Sequence, residues 1–530
     1  MPLYVGLDSS TQSLTAIVLD VERDARRLVF ESSLSFDEAL PRYGTRHGVL
    51  PQEDPAVAVS SPLMWAEALD VMLARVAASG LNLARLAAIA GSAQQHGSVY
   101  LSARAPAILS ALDARRPLVD QLAGVLSRSV APIWMDSSTS AECAEIEAAV
   151  GGGDVLAERT GSRAFERFTG PQIRKFFKRE PSAYAATDRV HLVSSFLASL
   201  LAGQHAPVEP GDGSGMNLMD LSTKQWWPAA LEATAPGLAA KLAPIVPSGT
   251  VIGRLSPYWQ TRHGLPPAKI IAWSGDNPCS LIGTGLVREG RVAVSLGTSD
   301  TIFGLMREPR VDRTGTGHVF GAPTGDYMGI TVFKNGSLAR EHVRDAFGLT
   351  WSEFSRALDA TPPGNHGRIL LPWYEPEITP EVPTPGVHRF GLNADDGPGH
   401  VRAVVEAQQM GLALHSRWMG VDVATIHATG GASANREILQ VMADVFGADV
   451  YQFDVWNSAC LGAALRACHA DAAAEGRAIG WDDVVEDLAE PVAASRVRPD
   501  PARHMLYGGL MRVYAECEAR ALIERRAAGR

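Results

Sequence analysis

The chain has 530 residues, 46% of them hydrophobic and 20% charged; this is a globular composition too long for one ordinary core, so two large domains or more are expected. A net charge of −10 leaves no basic field to hold nucleic acid or an anionic membrane, although backbone N–H groups can still hold a small anion. Five scattered cysteines (Cys143, Cys279, Cys460, Cys468 and Cys517) make no C-x-x-C pair and no cluster at metal spacing, which fits a reducing compartment better than a disulfide framework. No leader pattern precedes Asp8, and the most apolar helical run, Leu192 to Ala202, is too short to span a bilayer, so a cytoplasmic protein is expected.

Short runs rich in Val, Ile, Leu and Phe at Leu3 to Leu7, Leu14 to Leu19 and Leu28 to Leu34 predict a β-meander, its first turn falling at Asp8-Ser9-Ser10-Thr11-Gln12. Met64, Ala68, Val71, Met72 and Val76 share one face of a helix. Strands are predicted at Leu86 to Ile89 and Ile133 to Met135, and helices from about Ser138 to Ala202. After Pro-rich and polar stretches, Lys269 to Trp273 reads as a strand ending in Ser274-Gly275-Asp276-Asn277-Pro278. A second β-rich block opens at Arg291 to Leu296, turns at Gly297-Thr298-Ser299-Asp300 and resumes at Thr301 to Phe303, with further strands at Tyr327 to Phe333 and Arg368 to Leu371. A helix over Gly399 to Trp418, a strand over Thr425 to Ala428, and helices over Asn435 to Phe446 and His504 to Arg526 complete an α/β pattern. The segments Tyr4 to Thr11 and Ala293 to Asp300 are alike, each an apolar strand running into a Gly/Asp/Ser/Thr turn. Two domains on one plan, or two unrelated hairpins, both fit that likeness.

Several of these turns could carry chemistry. Gly and Ser/Thr in a tight turn expose successive N–H and O–H donors suited to phosphate, and Asp8 in such a turn would work through a divalent cation. The same residues are also simply good turn formers. Asp276 stands at a strand-to-helix junction, where open α/β sheets place catalytic groups but where Asp is also a common cap. Gly430-Gly431-Ala432-Ser433 follows a strand and opens a helix, an approach suited to an anionic or polar ligand; it is neither G-x-G-x-x-G nor a P-loop. His96, in Gln94-Gln95-His96-Gly97, and Arg167 are each either binders of sugar hydroxyls or structural residues.

In order along the chain, Gly6 to Gln12, Gln94 to Gly97, Trp134-Met135-Asp136, Ser274 to Pro278, Ser295 to Ser299 and Thr429 to Ser433 resemble the FGGY carbohydrate kinase family, over about residues 3 to 470. The stretches Thr160 to Gly170, Asp212 to Leu218 and Phe333 to Leu338 add to it. The resemblance implies two actin-like, ribonuclease-H-like ATPase domains flanking a catalytic cleft, at 1–283 (sugar and base) and 284–530 (nucleotide and C-terminal helix). It implies transfer of the ATP γ-phosphoryl group, with Mg²⁺, to D-xylulose; another ketose or polyol, or a non-catalytic sugar sensor, is the alternative. By motif match Asp276 would be the general base, with His96, Arg167 and Asn277 on the sugar. Gly297, Thr298 and Ser299 would lie along the phosphates, Gly430, Gly431, Asn435 and Trp351 would face the nucleotide, and Asp8 would hold Mg²⁺ through water. The expected partners are a small sugar and ATP, with no nucleic acid or membrane, in a monomer or homodimer. One departure stands out: Thr15 occupies a position that is commonly Lys or Arg in the family.

Overall fold

A computed structural model describes residues 2–22, 25–453 and 457–528. In chain order the strands that position the sites are β1 (Leu3–Ser9), β2 (Ser13–Glu22), β3 (Ala25–Ser35), β4 (Leu86–Ala93), β5 (Val251–Arg254), β6 (Lys269–Ile271), β7 (Ser274–Gly275), β8 (Arg291–Leu296), β9 (Asp300–Met306), β10 (Tyr327–Phe333), β11 (Thr425–Thr429) and β12 (Asp449–Gln452). The principal helices are α1 (Pro62–Ala77), α2 (Val193–Ala202), α3 (Asp276–Gly283), α4 (Ser337–Ala346), α5 (Trp351–Ala360), α6 (Gly397–His415), α7 (Arg436–Phe446), α8 (Ser458–Ala474) and α9 (Pro501–Ala528).

The chain forms two compact units, and they are not the contiguous halves 1–283 and 284–530 expected from the sequence. The first takes Met1–Val287, Val319–Met328 and Trp456–Glu490; the second takes Arg288–His318, Gly329–Val455 and Pro491–Arg530. The return of α8 to the first unit has a steric cause. A Cβ on Gly462 would lie 1.9 Å from the Cys279 carbonyl oxygen, and one on Gly283 equally close to that of Ser458. Helices α3 and α8 therefore meet backbone to backbone. Arg466 of α8, fully buried, donates to the carbonyls of Gly91 (3.3 Å), Ser248 (3.0 Å) and Ala272 (2.7 Å). A buried guanidinium without such acceptors would cost several kcal/mol.

In the first unit the sheet order is β5–β6–β4–β1–β2–β3, with β7 beside β4. β1 is antiparallel to β2 and parallel to β4. Leu3, Val5 and Leu7 of β1 pack in one core with Met64, Trp65 and Met72 of α1 and Phe196 and Leu200 of α2. At about 25 cal/mol per Å² of apolar surface removed from water, such faces fix the register, because a one-residue slip would turn them to solvent. In the second unit five strands run β10–β9–β8–β11–β12. β8 is antiparallel to β9 and parallel to β11. Its core gathers Val292 and Val294 of β8, Val401 and Val404 of α6, Ile438 and Met442 of α7, and Tyr507 and Tyr514 of α9.

The strand expected at Ile133 to Met135 is a turn; the strand there is Ala131–Pro132. The cause is Asp136. Its buried carboxylate accepts from the backbone N–H of Ala58 (3.1 Å) and Ser138 (3.0 Å) and from the Gln172 amide (2.8 Å), while its own N–H closes onto the Ile133 carbonyl at 2.9 Å. Trp134 and Met135 are left exposed. Among the described residues no helix is long and apolar enough to cross a membrane.

Candidate active site

Strand pairing sets the first unit's site. Asp8, near the end of β1, lies level with Ser92 of β4 on one side and Thr15 of β2 on the other. Ser92 Oγ donates to Asp8 Oδ1 at 2.6 Å. Thr15 is buried and gives its hydroxyl to Ser33 Oγ at 3.1 Å, so this neighbour brings no charge. Burial pushes the Asp8 carboxyl up to about 7; the Ser92 bond opposes the rise and the nearby Asp276 carboxylate adds to it.

Asp276 follows β7, which pairs Gly275 with Ala93, so it is delivered beside the polar segment after β4. Its Oδ1 accepts from the Asn277 backbone N–H (2.8 Å) and side-chain amide (3.1 Å). Burial pushes it up to about 6, against backbone donors from Asn277 and Gln95. The Gln95 side chain, which the motif reading left without a role, ties this together: its Oε1 accepts from Asn277 Nδ2 at 2.9 Å and its Nε2 donates to the Gly211 carbonyl at 3.2 Å. Beneath lies Glu209, fully buried, whose Oε1 accepts from Ser274 Oγ (2.5 Å) and the Asp212 N–H (2.7 Å) and whose Oε2 accepts from Ser248. Ser194 donates to Asp212, whose carboxyl burial pushes well above the usual range; Glu209 and Asp276 add to the rise and Arg466 opposes it.

His96 is buried with φ of 72°. Burial and the neighbouring Arg167 guanidinium push its imidazole down to about 3, so the ring is neutral in any working buffer. Nδ1 sits 2.7 Å from the Gly215 carbonyl oxygen and must carry the hydrogen. Nε2 is therefore an acceptor, ready for a hydroxyl. The ring packs 4.7 Å from Phe168, and Arg167 lies 5.4 Å over Phe165 and 6.0 Å over Phe168. Neutral His, Arg, Asn and carboxylate together suit a polyhydroxylated ligand.

Among the described residues no group of three or more His, Cys, Asp or Glu side chains could hold a metal by itself. Asp8, with Asp276 nearby, fits a cation that takes one or two carboxylates and keeps water or phosphate for its other ligands, as Mg²⁺ does.

In the second unit a cavity of about 810 Å³ opens between the β8 turn, α4, α5 and the Gly431–Ala434 turn before α7. Gly297, Thr298, Trp351, Gly431 and Asn435 line it; Ser299 and Gly430, assigned to the same ligand from the sequence, do not. Gly430 shapes the turn instead: its φ is 82°, and a Cβ would lie 2.6 Å from the Leu296 carbonyl oxygen. Gly431 has nothing within 4 Å of a would-be Cβ. Asn435 caps α7, its Oδ1 accepting from Glu437 N–H (3.0 Å) and Ile438 N–H (3.2 Å), and its amide donates to Ser355 Oγ at 2.7 Å. Trp351 is 44% exposed, with Arg344 4.5 Å over its ring. Arg340 also lines the cavity, buried and paired with Asp300 at 3.1 Å and with Gln408 Oε1 at 2.7 Å. No motif read from the sequence includes Arg340, which lies two residues beyond the Phe333 to Leu338 stretch.

The two sheets, the first unit's carrying Asp8 and the Asp276 junction and the second unit's a cavity at its hairpin turn, belong to the actin-like, ribonuclease-H-like fold. Family models match on both sides: the N-terminal domain of the FGGY family of carbohydrate kinases over residues 118–283 and its C-terminal domain over 292–470. The chain belongs to the FGGY family of carbohydrate kinases. It is 44% identical to a xylulose kinase of Rattus norvegicus over 98% of this chain and 97% of that one. It is 43% identical to xylulose kinase 2 of Arabidopsis thaliana, over 88% and 87%. The crystal structure of xylulose kinase from Rhodospirillum rubrum superposes with a TM-score of 0.80 at 20% identity, covering 98% of both chains, a likeness of fold.

Proposed function

We propose that the chain phosphorylates D-xylulose on its 5-hydroxyl with ATP, and that Asp276 is the general base. The observation that carries this reading is a carboxylate held near pH 6 beside an Asn amide, with a neutral His acceptor and a guanidinium in the same unit. A base of that pKa is ionised at neutral pH and still basic enough to take a proton as the acceptor oxygen bonds to phosphorus. Phosphoryl transfer asks the protein for alignment and neutralised charge more than covalent help. His96 Nε2, Arg167 and Asn277 orient the sugar, and the Gln95 amide fixes Asn277. Gly297 and Thr298 lie along the phosphates, with Trp351, Gly431 and Asn435 toward the adenosine. Asp8 would hold Mg²⁺ through water, and the cation would supply the charge toward the phosphates that Thr15 cannot. The five free, buried thiols suit a cytosolic setting.

Coupled ADP release with Mg-ATP and D-xylulose, L-xylulose, D-ribulose, L-ribulose, erythrulose and glycerol tests the reading. The expected result is the highest kcat/KM for D-xylulose. A higher value for another member replaces the substrate and keeps the mechanism; sugar binding without turnover on any member makes the chain a sensor.

A further inference from the structure

Glu209 is fully buried in the first unit, behind the groups that meet the sugar. Three donors converge on its carboxylate. Ser274 Oγ (2.5 Å) and the Asp212 backbone N–H (2.7 Å) both reach Oε1, and Ser248 Oγ reaches Oε2. An acceptor-only group satisfies that set. The Asp212 carboxyl is placed differently: it has one donor, Ser194 Oγ on Oδ2, and its buried Oδ1 has no hydrogen-bond partner among the described residues. Ser248 also ties Glu209 to a cation, since its carbonyl takes Arg466 Nη2 at 3.0 Å.

The donors belong to two segments that carry opposite sides of the site. Ser274 is in β7, where it pairs with Ser92, and the chain then delivers Asp276 and Asn277. Asp212 is in the short helix Pro210–Ser214, which Glu209 caps. The Gly211 carbonyl of that helix holds the Gln95 amide at 3.2 Å, and the Gly215 carbonyl just after it sets the His96 tautomer at 2.7 Å. The two segments also touch: a Cβ on Gly211 would lie 2.7 Å from Glu209 Oε1 and 2.9 Å from Pro278 Cβ. One oxygen therefore binds both the strand that carries the base and the helix that sets the hydroxyl-binding groups. Phosphoryl transfer depends on alignment, and a misplacement of about 1 Å can cost about a hundredfold in rate. We infer that Glu209 is a positioning residue, which keeps Asp276 and Asn277 in register with Gln95 and His96; this rests on the reading of Asp276 as the base and of His96 and Asn277 as sugar contacts.

Initial rates with D-xylulose, sugar and nucleotide affinities by calorimetry, and thermal melts test this on Glu209→Gln, Ser274→Ala and the double variant. Glu209→Gln keeps the shape of the side chain and loses an acceptor. It should lower kcat about tenfold or more and weaken sugar binding about tenfold, with ATP affinity, which belongs to the second unit, within about twofold of native. Ser274→Ala slackens only the base-side arm, so kcat should fall about tenfold at nearly native sugar affinity. The double variant should have a kcat no lower than that of Glu209→Gln, because both changes cut one linkage. Losses that multiply overturn the inference, as does a Glu209→Gln protein with native kcat and sugar affinity. A parallel loss of sugar affinity, ATP affinity and Tm overturns it too, because that pattern is general destabilisation. Where Glu209→Gln does not fold, Ser274→Ala carries the test, and native kcat in it overturns the inference. A native chain that turns over no sugar of the panel overturns the reading of the site and this inference with it. With turnover present in the native chain and lost in Asp276→Asn, an inert Glu209→Gln removes the inference alone.

Discussion

The two sheets share a plan and differ in how they handle charge. In each, a central strand (β1 or β8) is antiparallel to the next strand and parallel to a later one (β4 or β11), and a three-residue polar turn joins the first two (Ser10-Thr11-Gln12 or Gly297-Thr298-Ser299), with Asp8 or Asp300 on a flanking strand. The second unit neutralises its own acid: Asp300 is buried against the Arg340 guanidinium at 3.1 Å. The first does not: among the described residues Asp8 has the Ser92 hydroxyl, another carboxylate nearby, and the uncharged Thr15 level with it on β2. One topology thus gives a self-contained ligand cavity in one unit and, in the other, a site whose charge balance waits for what binds it. That difference can be broken at three places.

The largest effect is expected at Asp276. Asp276→Asn should lower kcat by about 10²- to 10⁴-fold while sugar affinity, measured by calorimetry, stays close to native, because the amide keeps the shape and loses the base. In the native chain kcat/KM should fall tenfold per pH unit below about 6, since the carboxylate is protonated there. The Asn variant should lack that limb. Near-native turnover in it removes Asp276 as the base.

Much of this site was legible as sequence. Asp276, His96 and the turn glycines stand in local motifs, and the hairpins follow from alternating apolar residues. What was not legible was long-range. Nothing local says that Gly462 meets Cys279, so α8's place in the first unit and the buried Arg466 were hidden. Gln95 read as one polar residue among several; its role depends on Asn277, 182 residues away. The strand expected at Ile133 to Met135 failed because apolar content outweighed Asp136, whose turn depends on a distant Ala58 N–H and Gln172 amide. Likewise Ser299 and Gly430 sit in the right motifs and outside the cavity lining, because adjacent residues in a tight turn face different ways.

A smaller effect separates the two neighbouring glycines of the second unit. Gly431→Val adds a side chain to open space at the cavity wall, so KM for ATP should rise about tenfold with little change in Tm, a loss of about 1.4 kcal/mol in binding. Gly430→Ala should behave in the opposite way. It forces a Cβ against the Leu296 carbonyl at positive φ and should cost about 1–3 kcal/mol of stability. Equal loss of Tm in both variants would mean that Gly431 serves the turn and not the ligand.

The smallest effect has an unexpected sign. The Asp8 carboxyl is raised from its ordinary 3.8 to about 7 in the folded chain. Between those values the folded state keeps a proton that the unfolded state has released, so stability falls as pH rises through the window, and the full deficit is present above about 7. Removing the charge should therefore stabilise the ligand-free protein at pH 8. Asp8→Asn should gain about 1–2 kcal/mol there, less than a fully buried group would give because the side chain is half-buried, and the gain should vanish below about pH 4. The corresponding change at Asp300 strands Arg340 and should destabilise at pH 8. Thermal melts of the three proteins at the two pH values, without and with Mg-ATP, decide the matter. If the native chain gains stability from Mg-ATP and Asp8→Asn gains less, the deficit at Asp8 is the place where the metal's charge is used. If Asp8→Asn is destabilising at pH 8, the carboxylate is already neutralised within the chain, and the contrast between the two units fails at its root.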